Sequence, residues 1–304
     1  MKAIDLFAGL GGFSEGARAA GVEVLWAANH WSLAVDFHSA NHPLTEHACQ
    51  DLHQADWRQV PQHDVLLASP ACQGHSRARG KERPHHDAMR STAWAVVSCA
   101  EYHRSPFGVV ENVPEFLKWT LYPAWEDALK RLGYSVTPHI IDAANHGVPQ
   151  HRVRMFLILS RSKAPLKLDL PTRAHRPVAN IIDWEGHRWN KINKPGRSLK
   201  TLARIAAGRK EFGDCFVAPY YSSGSGLTGR SIDRPIGTFS TVDRWAIIKG
   251  DQMRMFQPPE VRAGMGFPET YLLPTNRRDA IFLLGNAVAP VGATDILCAL
   301  KQAA

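Results

Sequence analysis

The sequence predicts an α/β chain built on a mainly parallel, doubly wound sheet, with a smaller, loop-rich domain inserted late in the chain. Through the first 160 residues, short apolar runs bounded by turn residues alternate with helix-like stretches. This alternation is typical of parallel strands covered by helices on both faces. From about residue 160 to about residue 250 the alternation stops, and Pro, Gly, Arg, Lys and Trp become frequent. That change of pattern indicates a second domain.

The predicted elements follow the chain in this order. The strands are residues 2–7, 22–28, 64–68, 107–110, 135–141 and 153–159. The helices are residues 13–20, 31–41, 88–103, 123–132, 258–265 and 279–300, and residues 234–245 are interpreted as a strand that closes the inserted domain. The predicted domains are therefore 1–160, an insert over 161–250, and a return to the first domain over 251–304.

Composition narrows the class of protein. At 304 residues with 44% hydrophobic content, the chain has enough apolar residues for one large core and a small second domain. The five cysteines are scattered and never form a CxxC pair, so neither a disulfide framework nor a zinc ribbon is predicted. No apolar run of membrane-spanning length and no signal-peptide pattern is found, and we expect a cytoplasmic protein without a membrane partner.

Positive charge is concentrated in one part of the sequence. The net charge is +8, while residues 161–210 contain thirteen Lys and Arg against three Asp and Glu. Such a block suits a surface that neutralises the phosphates of a nucleic acid. A solvated basic face is an equal alternative on charge alone.

A glycine-rich turn follows the first predicted strand. Gly9, Gly11 and Gly12 allow the backbone to bend tightly and to approach a ligand closely. Ser14 stands where the dinucleotide fingerprint GxGxxG needs its third glycine, which disfavours a pyrophosphate cofactor. The alternative is a tight turn without a ligand.

A thiol and a carboxyl follow two further strands. Cys72 comes after the strand at 64–68, within SPACQGHS, and Glu111 directly follows the strand at 107–110, within VVENV. Both are expected at the carboxyl edge of the sheet, where ligands bind in this architecture. Such a pair suits methylation of cytosine at carbon 5, because thiolate addition to carbon 6, helped by an acid at N3, makes carbon 5 nucleophilic. Taken singly, Cys72 could be a buried small hydrophobe and Glu111 a capping acid. No complete set of metal ligands accompanies them, so we expect no metal.

The ordered set of motifs resembles the bacterial and phage DNA cytosine C5 methyltransferases. DLFAGLGG is similar to the cofactor turn of that family, SPACQGHS to its nucleophile loop and ENV to its glutamate motif. QHRVR at 150–154 resembles its QxRxR motif, PPEVRAGMGFPE its motif before the last helix, and LGNAV at 284–288 its last cofactor motif. The resemblance covers nearly the whole chain and is weakest from about 160 to about 250. It implies a Rossmann-like fold that uses S-adenosylmethionine and releases S-adenosylhomocysteine.

The resemblance also implies a role for individual residues. Phe7 would contact the adenine, Gly9 and Gly11 would line the methionine end, and Asp51 would bind the adenine amino group. The full implied cofactor pocket is Phe7, Ala8, Gly9, Leu10, Gly11, Gly12, Asn29, His30, Asp51, Pro70, Asn286 and Val288. Residues 1–160 would be the catalytic and cofactor-binding domain, and 161–250 the target-recognition domain.

The implied catalytic residues are Cys72, Glu111, Arg152 and Arg154. Cys72 would be the nucleophile, Glu111 and Arg154 would hold the flipped cytosine with Arg154 on its O2, and Arg152 would support the site. The implied partner is double-stranded DNA, with Gln73, Ser76, Arg77, Arg79, Arg83, Arg188, Arg197 and Arg230 as candidate DNA contacts.

Three positions depart from the family pattern. Ala71 replaces the usual proline before the cysteine, and His75 stands where phenylalanine is usual. His30 occupies the place of the acid that normally binds the ribose hydroxyls, and a histidine there lacks charge assistance. We therefore expect weaker cofactor binding than an acidic residue would give.

Two other functions remain alternatives to a DNA methyltransferase. One is a transfer-RNA methyltransferase of the same fold, and the other is a catalytically silent DNA-binding protein. A monomer is expected, whereas the target sequence and the presence of a cognate restriction endonuclease are left open by the sequence.

Overall fold

The computed structural model describes residues 1–71, 91–162, 164–220 and 229–303. The chain divides into two compact units. The first consists of Met1–Asp142, Val153–Pro171 and Ala287–Ala304, and the second of Ala143–Arg152 and Thr172–Asn286.

The first unit contains a seven-stranded sheet in the order β3-β2-β1-β4-β5-β7-β6. Its strands are β1 (Lys2–Leu6), β2 (Glu23–Asn29), β3 (Glu46–Cys49), β4 (Val65–Ala68), β5 (Phe107–Asn112), β6 (Ser135–Asp142) and β7 (Val153–Ser160). Its α-helices are α1 (Gly12–Ala19), α2 (Ser32–Asn41), α3 (Trp94–His103), α4 (Tyr122–Arg131) and α8 (Pro290–Ala303), the last numbered after the helices of the second unit. Short 3-10 helices span Leu52–Gln54, Trp57–Gln59 and Pro114–Lys118.

The predicted mainly parallel α/β fold is confirmed. Strands β1 to β5 pair in parallel, and only β7 runs antiparallel to its neighbours β5 and β6. Alternate residues of the central strands enter two separate cores, as a sheet covered on both faces requires. Ile4 and Leu6 pack in the core that includes α3, whereas Ala3 packs in the core that includes α1 and α8.

The parallel strands place their carboxyl ends at one edge of the sheet. β1 leads into the glycine turn, β2 ends at Asn29, and β3 ends at Cys49. β4 ends two residues before Pro70, and β5 ends at Asn112. The sheet thus brings the turns after five strands to the edge where α/β proteins bind ligands.

One strand and one helix differ from the prediction. β3 was not predicted, because EHAC is short and lacks the apolar run that indicates a buried strand. The predicted helix over 279–300 is two helices, since the chain leaves the helical conformation before Pro290 begins α8.

One apolar stretch, Arg277–Ala303, has the length and hydropathy of a membrane span. We expected no apolar stretch of this length, and by length and composition alone that expectation is wrong. Two-thirds of its most apolar window, 67%, is buried within the protein, as in core helices.

The second unit is built on a five-stranded antiparallel sheet in the order β10-β9-β11-β12-β8. Its strands are β8 (Asn190–Lys191), β9 (Cys215–Pro219), β10 (Arg230–Ser231), β11 (Trp245–Lys249) and β12 (Gln252–Met255). Its helices are α5 (Leu199–Phe212), α6 (Pro258–Met265) and α7 (Arg277–Asn286), with 3-10 turns at Ala143–His146 and Val178–Ile181. Ile205 of α5 packs with Phe216 and Ile248 of the sheet.

The second unit differs from the predicted insert. It contains α6 and α7, so the return to the first unit occurs at Ala287 and not at 251. The predicted strand over 234–245 is wrong, because this segment is irregular apart from a bridge at Ile236, and β11 begins only at Trp245. Short strands whose apolar side chains are interspersed with Arg and Lys give little periodic signal, and this explains why the sheet was interpreted as loops.

Candidate active site

The glycine turn holds an unusual backbone conformation. Phe7 has a φ of 61°, in the left-handed region that an aromatic residue rarely adopts. The Ser69 hydroxyl, after β4, donates to the Phe7 carbonyl at 3.1 Å, and the Ala8 amide donates to the Ala28 carbonyl at 3.0 Å. Contacts from both neighbouring strands therefore fix a strained residue at the carboxyl end of β1, a feature that is common at ligand sites.

Gly12 packs directly against the segment that precedes α8. A Cβ atom at this position would lie 2.0 Å from the Val288 carbonyl oxygen. Gly11, which precedes α1, has a φ of 95°, and its carbonyl accepts from the Glu15 amide at 2.8 Å. The first and last cofactor motifs of the predicted site thus meet at their backbones, and only glycine allows this approach.

The turn leaves room for a ligand beside Gly9. Gly9 has a φ of 56°, and a Cβ atom there would meet nothing closer than the Phe7 carbonyl oxygen at 3.8 Å. The Ser14 hydroxyl donates to Asp5 at 2.8 Å, so the position that distinguishes this turn from a dinucleotide fingerprint has its own partner. The turn is therefore open at Gly9, and the Ser14 hydroxyl already has a partner inside the protein.

Three other predicted cofactor residues, Asn29, His30 and Asp51, lie at the same edge of the sheet. The Asn29 side chain accepts from the Trp31 amide at 3.0 Å, and His30 is exposed directly after β2. Asp51 follows β3, is exposed, and accepts from the His53 amide at 3.0 Å. Leu10 is buried at 0% exposure, so its side chain belongs to the core and its backbone to the turn. Asn286 is the last residue of α7 and of the second unit.

Glu111 and Arg154 form an ion pair at the end of β5. The Arg154 Nε lies 3.2 Å from the Glu111 Oε1, and the two side chains are 18% and 10% exposed. Arg154 is on β7, where it also donates to the Val153 carbonyl at 2.8 Å. Antiparallel pairing of β5 with β7 brings together two residues that lie 43 positions apart.

Asn112 connects this pair to the segment that precedes Cys72. Its side-chain amide donates to the Pro70 carbonyl at 3.0 Å, and its side-chain oxygen accepts from the Val113 amide at 2.9 Å. The Ala71 amide donates to the Thr92 hydroxyl at 3.2 Å. The residues immediately before Cys72 are therefore held beside the end of β5. Asn112 was not assigned a role from the sequence, although it is the middle residue of ENV.

Several predicted site residues lie outside the described residues. They are Cys72, Gln73, Ser76, Arg77, Arg79 and Arg83, together with the departure at His75. Their roles stay predictions.

Within the second unit, Gln150 and Arg152 of QHRVR hydrogen-bond to backbone groups of distant segments. The buried Arg152 donates to the carbonyls of Phe239 and Gly285, at 3.3 and 3.1 Å. The Gln150 side chain donates to the Gly264 carbonyl at 2.6 Å and accepts from the Phe239 amide at 3.0 Å. Arg152 thus fixes backbone of the second unit, and Gln150 is a structural residue that its place in the motif could have indicated.

The predicted DNA contacts of the second unit have different surroundings. Arg197 donates to the Tyr220 hydroxyl at 3.0 Å and to the carbonyls of Lys191 and Ile192, so it fixes the loop before α5. Arg230 lies over the Trp245 ring at 5.6 Å, and Arg188 is exposed.

No group of three or more His, Cys, Asp or Glu is arranged to bind a metal ion in the part of the chain that the structure describes. The expectation of metal-free chemistry stays a prediction.

Comparison with known proteins agrees with this geometry. The family model of the C-5 cytosine-specific DNA methylases matches residues 1–302. The type II methyltransferase M.NlaX of Neisseria lactamica is 24% identical over 95% of this chain and 92% of its own length. M.BsuFI of Bacillus subtilis is 26% identical over 98% of this chain and 72% of its own. Among solved structures, a mutant of Spodoptera frugiperda DNMT2 superposes with a TM-score of 0.73 at 19% identity, covering 99% of both chains.

One assignment follows from the order of the motifs, from the sheet edge where several of them lie, and from the family match over almost the whole length. The chain belongs to the C-5 cytosine-specific DNA methylase family, whose members are S-adenosylmethionine-dependent methyltransferases.

Proposed function

We propose that this methyltransferase modifies carbon 5 of a cytosine flipped out of one specific double-stranded DNA sequence, with Cys72 as the nucleophile and Glu111 as the acid. The observation that carries the assignment of residues is the 3.2 Å contact between Arg154 and Glu111 at the carboxyl end of β5. Two polar side chains of opposite charge at this edge can bind the Watson-Crick edge of an extruded base.

The catalytic sequence assigns one task to each residue. The Cys72 thiolate adds to carbon 6 while the Glu111 carboxyl gives a proton to N3, which leaves carbon 5 nucleophilic. Arg154 donates to O2 and orients the ring. S-adenosylmethionine supplies an electrophilic methyl group. After transfer, water accepts the carbon 5 proton, the electrons of that bond restore the double bond between carbons 5 and 6 and expel the Cys72 thiolate, and N3 returns its proton to Glu111.

The cofactor site is assigned to the turn and the edge around it. Phe7 packs on the adenine, Gly9 and Gly11 approach the methionine end, and Asp51 accepts from the adenine amino group. The space beside Gly9 and the backbone contact between Gly12 and Val288 support this arrangement.

The DNA partner is assigned to the second unit together with the basic segment after Cys72. Arg188 and Arg230 are exposed there, and phosphate contacts by such residues make binding fall steeply with salt. We further propose a monomer that acts in the cytoplasm and is paired with a restriction endonuclease of the same target sequence.

Bisulfite or nanopore sequencing of DNA from cells that express the chain tests this function directly. Modified cytosines in a single sequence context are the expected result. Cys72→Ser should abolish modification, whereas Cys298→Ser, at an exposed cysteine of α8, should not. Transfer RNA from the same cells is sequenced in parallel, and modification confined to it would replace DNA with RNA as the substrate.

Trapping tests the nucleophile. A DNA duplex with 5-fluorocytosine at the target position should form a covalent adduct with the wild-type chain, because fluorine blocks the last elimination. An active enzyme that forms no adduct would contradict the role of Cys72.

A further inference from the structure

A fully buried carboxyl lies next to the glycine turn. Asp5 of β1 has 0% exposure, and its Oδ2 accepts from the Ser14 hydroxyl of α1 at 2.8 Å. Its Oδ1 is buried and has no hydrogen-bond partner among the residues that the structure describes. A carboxyl with one unsatisfied oxygen in a core is costly, and such a group requires an explanation.

Two histidines continue from Ser14 toward the surface. The Nε2 of His38, on α2, lies 3.1 Å from the Ser14 hydroxyl oxygen. The Nε2 of His47, on β3, lies 2.7 Å from the Nδ1 of His38. His38 is 1% exposed, whereas His47 is only half-buried. Asp5, Ser14, His38 and His47 therefore form one unbroken series of hydrogen bonds, which we name the Asp5–His47 chain.

The Asp5–His47 chain has two consistent directions. When Asp5 is ionised, Ser14 donates to it and accepts from Nε2–H of His38, whose Nδ1 then accepts from Nε2–H of His47. When Asp5 carries the proton on Oδ2, every bond reverses, and His38 carries its proton on Nδ1. Each hydroxyl and imidazole has one proton to donate, so the direction changes as a unit.

Burial sets which member titrates near neutral pH. Desolvation raises the pKa of Asp5 to about 7, against a lowering by its hydrogen bonds from Ser14. Desolvation holds the pKa of His38 well below its usual range, and repulsion from protonated His42 or His47 would lower it further. Desolvation lowers the pKa of His47 as well. The histidines are therefore neutral where Asp5 changes charge.

The charged groups around the Asp5–His47 chain come from three elements. On α2, His42 lies with its ring 4.8 Å from that of His38, and desolvation lowers its pKa to about 4. On α1, Glu15 and Arg18 form an ion pair at 2.6 Å. The helix α8, which packs on α1, carries the buried Asp295 and Lys301, whose ammonium donates to the Ala20 carbonyl at 2.9 Å.

The strands beside Asp5 contribute no charge at its level. In the register of the sheet, Asp5 lies opposite Ala27 on β2 and Leu67 on β4.

We propose that the Asp5–His47 chain is a proton path that lets Asp5 ionise inside the core, and that the charge of Asp5 is coupled to the positive charge of S-adenosylmethionine at the glycine turn. The coupling rests on the proposed cofactor site. Asp5, Ser14 and His38 are thus positioning residues of the turn.

The proton step moves one proton through each bond. The Asp5 proton passes to Ser14, the Ser14 proton to Nε2 of His38, and the Nδ1 proton of His38 to Nε2 of His47. His47 releases its own Nδ1 proton to water. Asp5 becomes a carboxylate, both histidines change tautomer and stay neutral, and one proton leaves the protein.

The coupling follows from the charges of the two ligands. S-adenosylmethionine has a sulfonium that S-adenosylhomocysteine lacks. A carboxylate in a low-dielectric core stabilises a nearby cation, so the sulfonium ligand favours ionised Asp5 and binding releases its proton. The neutral thioether of the product gives no such release.

Nitrogen-15 spectra of the histidine rings test the path without any ligand. His38 should stay neutral and change from its Nδ1–H to its Nε2–H tautomer as pH rises through about 7. The buried His63, bonded to the Pro61 carbonyl and the Ser105 hydroxyl, is the matched histidine outside the path and should keep one tautomer. A single His38 tautomer at every pH, or an ordinary imidazolium transition, would overturn the proposal.

Calorimetry tests the coupling. Binding heats measured near pH 7 in buffers of different ionisation enthalpy should show release of up to about half a proton with S-adenosylmethionine and less with S-adenosylhomocysteine. Asp5→Asn should remove the difference, and His63→Gln should retain it.

The outcomes separate the two proposals. Equal proton release on binding of S-adenosylmethionine and S-adenosylhomocysteine would contradict the coupling alone. A protein that binds neither ligand would contradict the cofactor site. If Asp5→Asn fails to fold, the comparison of the two ligands on the wild-type chain still decides.

Discussion

Two arginines of one motif differ in what they touch. Arg152 is 2% exposed and donates to two backbone carbonyls, whereas the Arg154 side chain is 18% exposed and pairs with Glu111. Both lie in QHRVR, and the family resemblance implies a catalytic role for both. Arg152 fixes backbone of the second unit, and Arg154 lies beside the predicted acid, so we expect replacements of the two arginines to have different main effects.

Replacing each arginine by lysine should separate these tasks. A lysine at 152 cannot reach two carbonyls as the guanidinium fork does, and we expect a stability loss on the order of 2 kcal/mol, or a Tm lower by about 4–8 °C. Arg154→Lys should lower kcat by about 100-fold with little change in Tm, as for loss of one well-placed donor. Thermal melts and steady-state methylation assays measure both. Equal effects of the two variants on Tm would contradict the division.

His30 gives a prediction about the cofactor. It is exposed directly after β2, where the family resemblance implies an acid for the ribose hydroxyls. His30→Glu should bind S-adenosylmethionine more tightly, because a charged acceptor makes stronger hydrogen bonds to hydroxyls. Calorimetric titration measures the Kd, with His30→Gln as the uncharged control. An unchanged Kd in His30→Glu would place the ribose elsewhere.

At the scale of elements, the contact between the start of α1 and the segment before α8 depends on the absence of a side chain. Gly12 meets the Val288 backbone, and Gly16, one turn later, would place a Cβ 2.6 Å from Ala293. The Thr294 hydroxyl also donates to the Gly16 carbonyl at 3.2 Å, across 278 positions of sequence. The last helix therefore fixes the helix that follows the glycine turn.

Adding one methyl group tests this contact. Gly12→Ala should displace α1 from the Val288 backbone, lower the Tm and weaken cofactor binding by at least about tenfold. Gly292→Ala, on α8, is the matched control, because its Cβ would meet nothing within 4 Å. We expect that control to bind normally and to be equally or more stable, by up to about 1 kcal/mol. Normal binding by Gly12→Ala would show that the turn tolerates the shift.

At the scale of the whole molecule, buried titratable groups set the response of stability to pH. The pKa of Asp5 is raised from 3.8 to about 7, so its contribution is present below 3.8 and is lost as pH rises through 7. The pKa values of His42 and His63 are lowered by burial from 6.5 to about 4, so their contribution is present above 6.5 and is lost as pH falls through 4. The histidines and Asp5 therefore oppose each other between these values.

Acidification should reveal this opposition. Burial also holds the pKa of His38 low, so three histidines with lowered pKa values oppose the single raised pKa of Asp5. We therefore expect the wild-type protein to lose stability from pH 6.5 toward pH 4. Asp5→Asn removes the opposing group and should make the loss steeper, whereas His63→Gln should make it shallower. Urea unfolding midpoints across this range measure the slopes. An Asp5→Asn slope equal to that of the wild type would mean that Asp5 does not titrate there.

Much of the fold and part of the site could be predicted because their signals are local. Alternating apolar runs predicted six strands of the main sheet, and the turn glycines, the ENV acid and QHRVR marked the edge. The elements of the second unit were harder to predict from the sequence. α5 carries Lys and Arg among its apolar residues, and β8 and β10 have only two residues each, so neither periodicity nor length indicated them.

The sequence by itself determined the family, the parallel α/β architecture and the identity of the thiol, acid and arginine of the proposed reaction, because ordered motifs and strand periodicity need no knowledge of distant contacts. Only the tertiary structure decided that Arg152 clamps backbone, that Asn112 holds the Pro70 carbonyl, and that Asp5 connects through Ser14 to two histidines. Those roles depend on which side chains meet across 9 to 133 positions of sequence, and on how much water the packing excludes around them. Neither quantity is encoded in any short stretch of the chain.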